Sequence, residues 1–445
     1  MRVVGMMVSY ASDRTGPTGS FGAYGELSII RRLRKTKPMV RSVCVPPQRK
    51  TRARMGHPLH GGRDQKTGTP RPLLVVSRVL ESSISDRALV RSEGCRLPGG
   101  PCPNFLLPKT KALPSGEIRA DVLVIGAGPT GLACGIEAQK LGLKVVVLDK
   151  GCLVNSLFHY PAGMTFFTTP ELLEIGDIPF TTALQKPTRE EALEYYRKVA
   201  EHYKLDVRQY EWVKTVLGED GKFSITATDR AGRPHDYRVR KVIVSTGYYD
   251  LANQLGIPGE DLPKVSHYYG EPHPYYDSEV VVIGGKNSAA IAALDLWRHG
   301  ARVTLVHREA HLHHHVKYWI KPDIENRIKN NEIVAYFNSS VQEIGPDHVV
   351  LVTPRGPLHL KNDFVLALIG YHPDYDFLRS MGIELSAEQC RPVCDPVSLE
   401  SNVPGIYVAG VIVAGSRTNE IFIENGRFHG KQIAEDLKHK LQPGS

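Results

Sequence analysis

Residues 120–150, ADVLVIGAGPTGLACGIEAQKLGLKVVVLDK, constrain this chain more than any other stretch. The apolar, β-branched run at 122–125 is short enough to be a buried strand. It leads straight into Gly126-Ala127-Gly128-Pro129-Thr130-Gly131, after which 132–141 reads as a helix and 144–148 as a second strand ending on Asp149. Such a βαβ unit has the spacing that a dinucleotide needs. Gly126 permits the tight turn, Gly128 lets the backbone approach a pyrophosphate, and Gly131 lets the helix pack close to the strand. The phosphates then meet free N–H groups at the helix N-terminus. Asp149, about twenty residues on, is placed to accept hydrogen bonds from a ribose. A glycine fingerprint alone is a weak signal; here the flanking strands, the closing acid and Gly135 one helical turn on agree with it.

Residues 279–308, EVVVIGGKNSAAIAALDLWRHGARVTLVHR, repeat this architecture. A strand at 280–283, the turn Gly284-Gly285-Lys286-Asn287-Ser288-Ala289, a helix at 290–298 and a strand at 303–306 predict a second dinucleotide site. Lys286 stands where the middle glycine belongs, which either blocks close approach or adds a cation near a phosphate. The second strand ends on His307-Arg308 instead of an acid, which suits a 2′-phosphate and favours NADPH over NADH.

The segment 151–180 is rich in Pro, Gly and aromatics without helical or strand periodicity, as expected of an ordered loop wrapping a cofactor; Phe166 and Phe167 in it are read as core fillers. Thr188 and Glu191 predict a capping box opening a helix to residue 203. Short alternating strands follow from 206 to 244, ending on Ser245-Thr246-Gly247, where a doubly wound sheet delivers backbone to its ligand. Residues 318–329 read as helical, 364–370 and 404–410 as buried strands, and 421–437 as a closing helix. His311, His313, His314 and His315 are crowded together with no acid or cysteine beside them in sequence, unlike ligands drawn from separate elements; the run is assigned to a solvated loop and no metal is expected.

Residues 1–110 carry 20 Lys and Arg against 6 Asp and Glu, leaving 36 against 41 in the remainder, so the net charge of +9 belongs to the N-terminal segment and the body is mildly acidic. Nothing in the body suggests a groove for nucleic acid. Residues 1–117, rich in Arg, Pro and Gly, are expected to form a disordered basic tail, the alternatives being a start assigned upstream of the true one, a transit peptide or an RNA-binding arm. No apolar run is long enough to predict a membrane span. Seven cysteines, an odd number with no CxxC pair, suit a reducing cytoplasm.

These stretches together resemble the thioredoxin-reductase-like flavoproteins with two dinucleotide-binding domains. They resemble more closely the bacillithiol-disulfide reductase (YpdA) family, in VNSLFHYPAGMTFF, STGYYD, HPYYDSEVVVIGGKNSA, KYWIKPDIE, GYHPDYDFL and GIYVAGVIVAG followed by TNEIFIENGRFHG. The resemblance runs in order over 118–440. It implies an α/β fold of two Rossmann-like, three-layer ββα domains, an NADPH domain at 251–361 inserted into an FAD domain formed by 118–250 and 362–445. At the FAD site it adds Pro129, Thr130, Lys150 and Asn155 to the glycines and Asp149, together with Thr246, Gly247 and Gly410. Asn419, Glu420 and Ile421 would face the flavin pyrimidine edge. At the NADPH site stand Gly284, Lys286, Asn287, Ser288, His307 and Arg308 of the second fingerprint, and Lys317 with Tyr318 is placed as a substrate or nicotinamide-side contact.

The implied activity is NADPH-dependent reduction, through FAD, of a low-molecular-weight disulfide such as bacillithiol disulfide. A bacilliredoxin-like or ferredoxin partner and a homodimer are implied with it, and neither nucleic acid nor membrane. Three departures matter. The acid that the wider class places after the late glycine is Val411. The dithiol CxxC of thioredoxin reductases is missing. The cysteine that YpdA-like members place between the Pro and third Gly of the first fingerprint is Thr130, which leaves Cys134, one turn later, as a weak candidate for a redox thiol and otherwise a packing residue. The rival readings are a ferredoxin–NADP reductase, a flavin monooxygenase, whose FxGxxxH signature is one residue short at 268–273, and a non-catalytic redox sensor.

Overall fold

The computed structural model describes residues 117–441; the expectations for the basic segment, save at residue 117, lie outside them. Strand β1 (Ile118–Ile125), helix α1 (Pro129–Lys140) and strand β2 (Val145–Asp149) form the first βαβ unit. Val122, Leu123 and Val124 are wholly buried, because a central parallel strand is covered on both faces. Helix α2 (Asn155–Phe158) opens the loop after β2, and α3 (Arg189–Tyr203) closes it. The predicted capping box is present: Glu191 N donates to Thr188 Oγ1 at 3.2 Å, and Thr188 N donates to Glu191 Oε2 at 2.8 Å. The buried face of α3 fixes the loop, with the Tyr196 hydroxyl donating to Leu173 O at 2.9 Å. Strands β3 (Asp206–Gln209), β4 (Trp212–Glu219), β5 (Lys222–Thr228) and β6 (Pro234–Val244) complete this half. The sheet order is β3-β2-β1-β6-β5-β4, parallel from β3 to β6 and antiparallel beyond.

A second sheet is built from β7 (Val265–Ser266), β8 (Glu279–Ile283), helix α4 (Asn287–Arg298), β9 (Arg302–Val306), helix α5 (Lys321–Lys329) and β10 (Val334–Tyr336). An antiparallel sheet of β11 (Ser340–Ile344), β12 (His348–Thr353) and β13 (Gly356–Lys361) covers it. Strand β14 (Phe364–Ala367) then pairs in parallel with β8, giving the order β10-β9-β8-β14-β7. The sequence division at 361/362 therefore cuts one strand too early, since a buried apolar run reads the same in either sheet. Helix α5 begins three residues later than expected, because residues 317–320 form a turn in which Ile320 N donates to Lys317 O at 2.9 Å.

Helix α6 (Tyr375–Ser380) is capped by Asp374, whose Oδ1 accepts from Phe377 N at 2.9 Å. Strand β15 (Ile406–Val408) returns to the first sheet beside β6. The closing helix expected at 421–437 is two pieces, α7 (Ile423–Gly426) and α8 (His429–Leu441). Arg427 at the break donates through Nη1 to Glu171 O at 2.7 Å and Glu174 O at 2.8 Å, tying it to the loop after β2. Among the described residues no helix is long and apolar enough to cross a membrane.

Candidate functional site

The carboxyl ends of β1, β2 and β6 open onto a cavity of about 790 Å³, the place where a doubly wound sheet takes its ligand. Gly126, Gly128, Pro129, Thr130, Asp149, Lys150, Asn155, Thr246, Gly247, Gly410 and Ile421 all line it. Gly131 stands behind the turn, where a Cβ would lie 1.9 Å from Gly126 O; only glycine lets α1 begin so close to β1. At Gly128 a Cβ would meet no protein atom within 4 Å, so the space above the turn is open for a pyrophosphate. Asp149 Oδ2 accepts from Ala127 N at 2.8 Å and Oδ1 from Gly151 N at 2.7 Å. Burial pushes this carboxyl up to about 6, against the lowering effect of the two N–H donors. Lys150 Nζ pairs with Asp250 at 3.0 Å, and Gly410 N donates to His429 Nδ1 at 3.0 Å, on a ring whose pKa burial lowers. The open turn and the carboxylate beside it fit a dinucleotide.

Three expected residues lie elsewhere. Asn419 and Glu420 are exposed and outside the cavity wall, which residues 421–424 form instead. Asn419 Nδ2 lies 3.4 Å from His315 Nδ1, and Glu420 is paired with Arg391. The chain turns just after them, because the Asn425 side chain accepts from Phe422 N at 2.7 Å and donates to Glu420 O at 3.0 Å. Cys134 is 1% exposed and sits among Val122, Val124 and Ile433, with burial pushing its thiol up to about 12. Its burial and neighbours are those of a packing residue. Thr130, in contrast, lines the cavity beside Gly410 and Gly426.

At the second turn the His307 ring fills the space over Gly285, where a Cβ would meet it at 2.3 Å. His307 Nε2 is buried without a hydrogen bond among the described residues, and Glu309 Oε2 lies 3.7 Å from it. A ring nitrogen with no hydrogen bond beside a glycine turn is a group that a bound nucleotide would satisfy. The loop 311–317 is drawn over the same turn: His313 N donates to Gly285 O at 2.9 Å, Asn287 Nδ2 to His315 O at 3.1 Å, and Lys317 N to Asn287 Oδ1 at 2.9 Å. Lys286 and Arg308 are exposed, and neither pairs with a carboxylate among the described residues. Gly284 begins the turn, and Asn287 and Ser288 reach the large cavity. The ring nitrogens of His313, His314 and His315 lie within 4.8 Å of one another.

Sequence reasoning missed the tyrosines. Tyr160, Tyr249 and Tyr371 line the cavity between the two sheets and pack ring to ring, with centroids 4.9 Å apart for Tyr160–Tyr249 and 4.6 Å for Tyr249–Tyr371. Tyr268 stacks on Tyr371 at 5.4 Å. They come from HYPAG, GYYD, HYYG and GYHP, an aromatic recurrence that was the available signal. Phe166 is a core residue, as expected, and Phe167 packs half-buried against the second core, its ring edge-to-face with Trp319 at 6.0 Å between centroids.

Residues 123–410 match the family of pyridine nucleotide-disulphide oxidoreductases. The chain is 44% identical over 321 residues to bacilliredoxin reductase Bdr of Bacillus subtilis, covering 72% of this chain and 98% of that one. Among solved structures, bacillithiol disulfide reductase Bdr (YpdA) from Bacillus cereus superposes with a TM-score of 0.71 at 43% identity, over 72% of this chain and 99% of that one. The Staphylococcus aureus enzyme of the same name gives 0.70 at 41% identity, over 73% and 100%. With an open glycine turn, a buried carboxylate beside it and a second glycine turn beneath a buried histidine, the chain belongs to the pyridine nucleotide-disulphide oxidoreductase family, among the Bdr (YpdA) reductases, and is an oxidoreductase.

Proposed function

We propose that this enzyme uses NADPH to reduce a low-molecular-weight disulfide of the bacillithiol type, releasing two thiols per NADPH consumed. FAD and NADPH are the cofactors of this family; bound together they supply two-electron chemistry from nicotinamide through flavin to the disulfide, and the protein's part is placement. The first glycine turn takes the FAD pyrophosphate, and Asp149 holds the ribose. Lys150, Asn155, Thr246, Gly247, Gly410 and Ile421 complete that wall. Gly284, Lys286, Asn287 and Ser288 receive the second pyrophosphate, with Lys317 fixing Asn287 through its backbone. His307 and Arg308 take the adenosine end, where the unpaired guanidinium reads a 2′-phosphate. The FAD-binding part comprises 118–250 and the segment after β14, and the NADPH-binding part lies between them.

The observation that carries this reading is the single cavity that runs from the first glycine turn to Asn287 and Ser288 of the second, so both nucleotides open onto one space. Among the described residues no pair of cysteines stands in it; Cys152 is half-buried with its thiol pushed up to about 11 by burial. In this reading the disulfide is reduced at the flavin, with no dithiol among the described residues taking part. A homodimer in a reducing cytoplasm completes the proposal, supported by the family likeness and the cysteine usage. The test is anaerobic NADPH oxidation by the FAD-loaded protein with bacillithiol disulfide, a ferredoxin and, separately, oxygen as acceptors. Turnover with the disulfide supports the reading; turnover with ferredoxin alone would replace it by an electron-transfer reductase.

A further inference from the structure

The cavity is longer than two glycine turns require. It continues past Met164 and Phe167 along one face of α4, touching Asn287, Ile291, Leu294 and Arg298, which are spaced three or four residues apart as one helical face demands. Arg298 lies about 16 Å along the helix axis from Asn287, at the end opposite the turn that would hold the pyrophosphate. Neither nucleotide's phosphate site reaches this far end.

Its walls come from separate parts of the chain. Lys186, from the loop before α3, places Nζ 3.8 Å from the centroid of the Trp319 ring. Lys317 Nζ lies 5.5 Å from the Phe167 centroid and 5.8 Å from that of Trp319. Lys186, Phe167 and Trp319 all line the cavity. Neither ammonium meets a carboxylate among the described residues, whereas the acids nearby are already engaged. Asp295 Oδ2 accepts from the Tyr269 hydroxyl at 2.5 Å, and Asp323 is paired with Arg298 and, at 3.2 Å, with Arg327. Of the two lysines, Lys186 lines the cavity, whereas Lys317 is tied by its backbone to Asn287 at the second turn; an uncompensated cation over an aromatic face forms a surface for an anion.

We propose that the stretch of cavity wall formed by Lys186, Trp319 and Phe167 is a substrate subsite, in which Lys186, set over Trp319, selects disulfides that carry carboxylates. The proposal rests on the disulfide reductase reading and adds the charge of the substrate to it. One half of the disulfide lies against this wall, with a carboxylate on the Lys186 ammonium, while the sulfur–sulfur bond lies toward the flavin.

The experiment compares the FAD-loaded enzyme with its Lys186→Met and Lys186→Arg variants. Bacillithiol disulfide serves as the acidic substrate, cystamine as a disulfide without carboxylates, and ferricyanide as an acceptor needing no subsite. Lys186→Met should raise KM for bacillithiol disulfide roughly tenfold, the loss of one charge-assisted contact, with kcat held and cystamine kinetics not worsened. Lys186→Arg should restore most of the loss, and ferricyanide reduction should be the same in all three. An unchanged KM for bacillithiol disulfide in Lys186→Met, or an equal rise for cystamine, overturns the subsite alone. A wild-type enzyme inert toward every disulfide but active with ferricyanide overturns the reductase reading beneath it.

Discussion

Asp149 is held where its charge is costly. Burial pushes its carboxyl up to about 6 from 3.8, so in the free protein the native state holds this proton more tightly than the unfolded chain does. The stability that protonation contributes is lost as pH rises from about 4 through about 6. A ribose reverses the preference, because its hydroxyls donate to the carboxylate and favour the ionised form. FAD affinity should therefore weaken as pH falls below about 6, by roughly tenfold at one unit below. Titration of the apoprotein with FAD at pH 5 and 7.5 checks this, and Asp149→Asn should bind weakly with a flattened profile. Cys134 supplies the opposite case. With its thiol pushed up to about 12 among apolar neighbours, Cys134→Ser should leave turnover within about twofold while costing about 1–3 kcal/mol of stability for a buried hydroxyl. A loss of turnover at unchanged stability would make it a redox thiol after all.

At the scale of elements, the first site depends on how α8 lies on α1. Gly430 makes this possible: a Cβ there would sit 2.8 Å from the Ala133 backbone. Gly430→Ala should push the helices apart, cost about 1–3 kcal/mol, and loosen FAD, since α8 leads on from the Ile421–Glu424 wall. Thermal unfolding with and without FAD measures both effects, and a variant as stable as wild type would show that the contact is slack. Both βαβ units, the capping box on α3 and the paired glycine turns were legible in the sequence because each is local, written within about thirty residues by periodicity and turn chemistry. The membership of β14 was not, because a buried strand carries no mark of its partner. Nor was the break between α7 and α8, which is held by Arg427 reaching carbonyls some 250 residues earlier. The exposure of Asn419 and Glu420 was not legible either: the turn that sends them outward is closed by Asn425, a contact that helical periodicity does not encode.

In the whole molecule, the active space is what two sheets enclose between them. The tyrosines that line it, Tyr160, Tyr249 and Tyr371, come from three distant segments, and Lys186 and Trp319 in its wall from two more. No window of sequence brings these together, and aromatic recurrence alone could not say which rings would meet. The proposed function is that of an enzyme in which two nucleotides share one cavity, and among the described residues no cysteine lines that cavity. The most direct measurement is an anaerobic rapid-mixing experiment on the FAD-loaded enzyme in which all seven cysteines are replaced by Ser. The flavin colour should bleach with one equivalent of NADPH and return on mixing with bacillithiol disulfide, with two thiols released per NADPH. Colour that bleaches but returns only with ferredoxin or oxygen, while the unsubstituted enzyme responds to the disulfide, would contradict the account by showing that a cysteine carries the electrons.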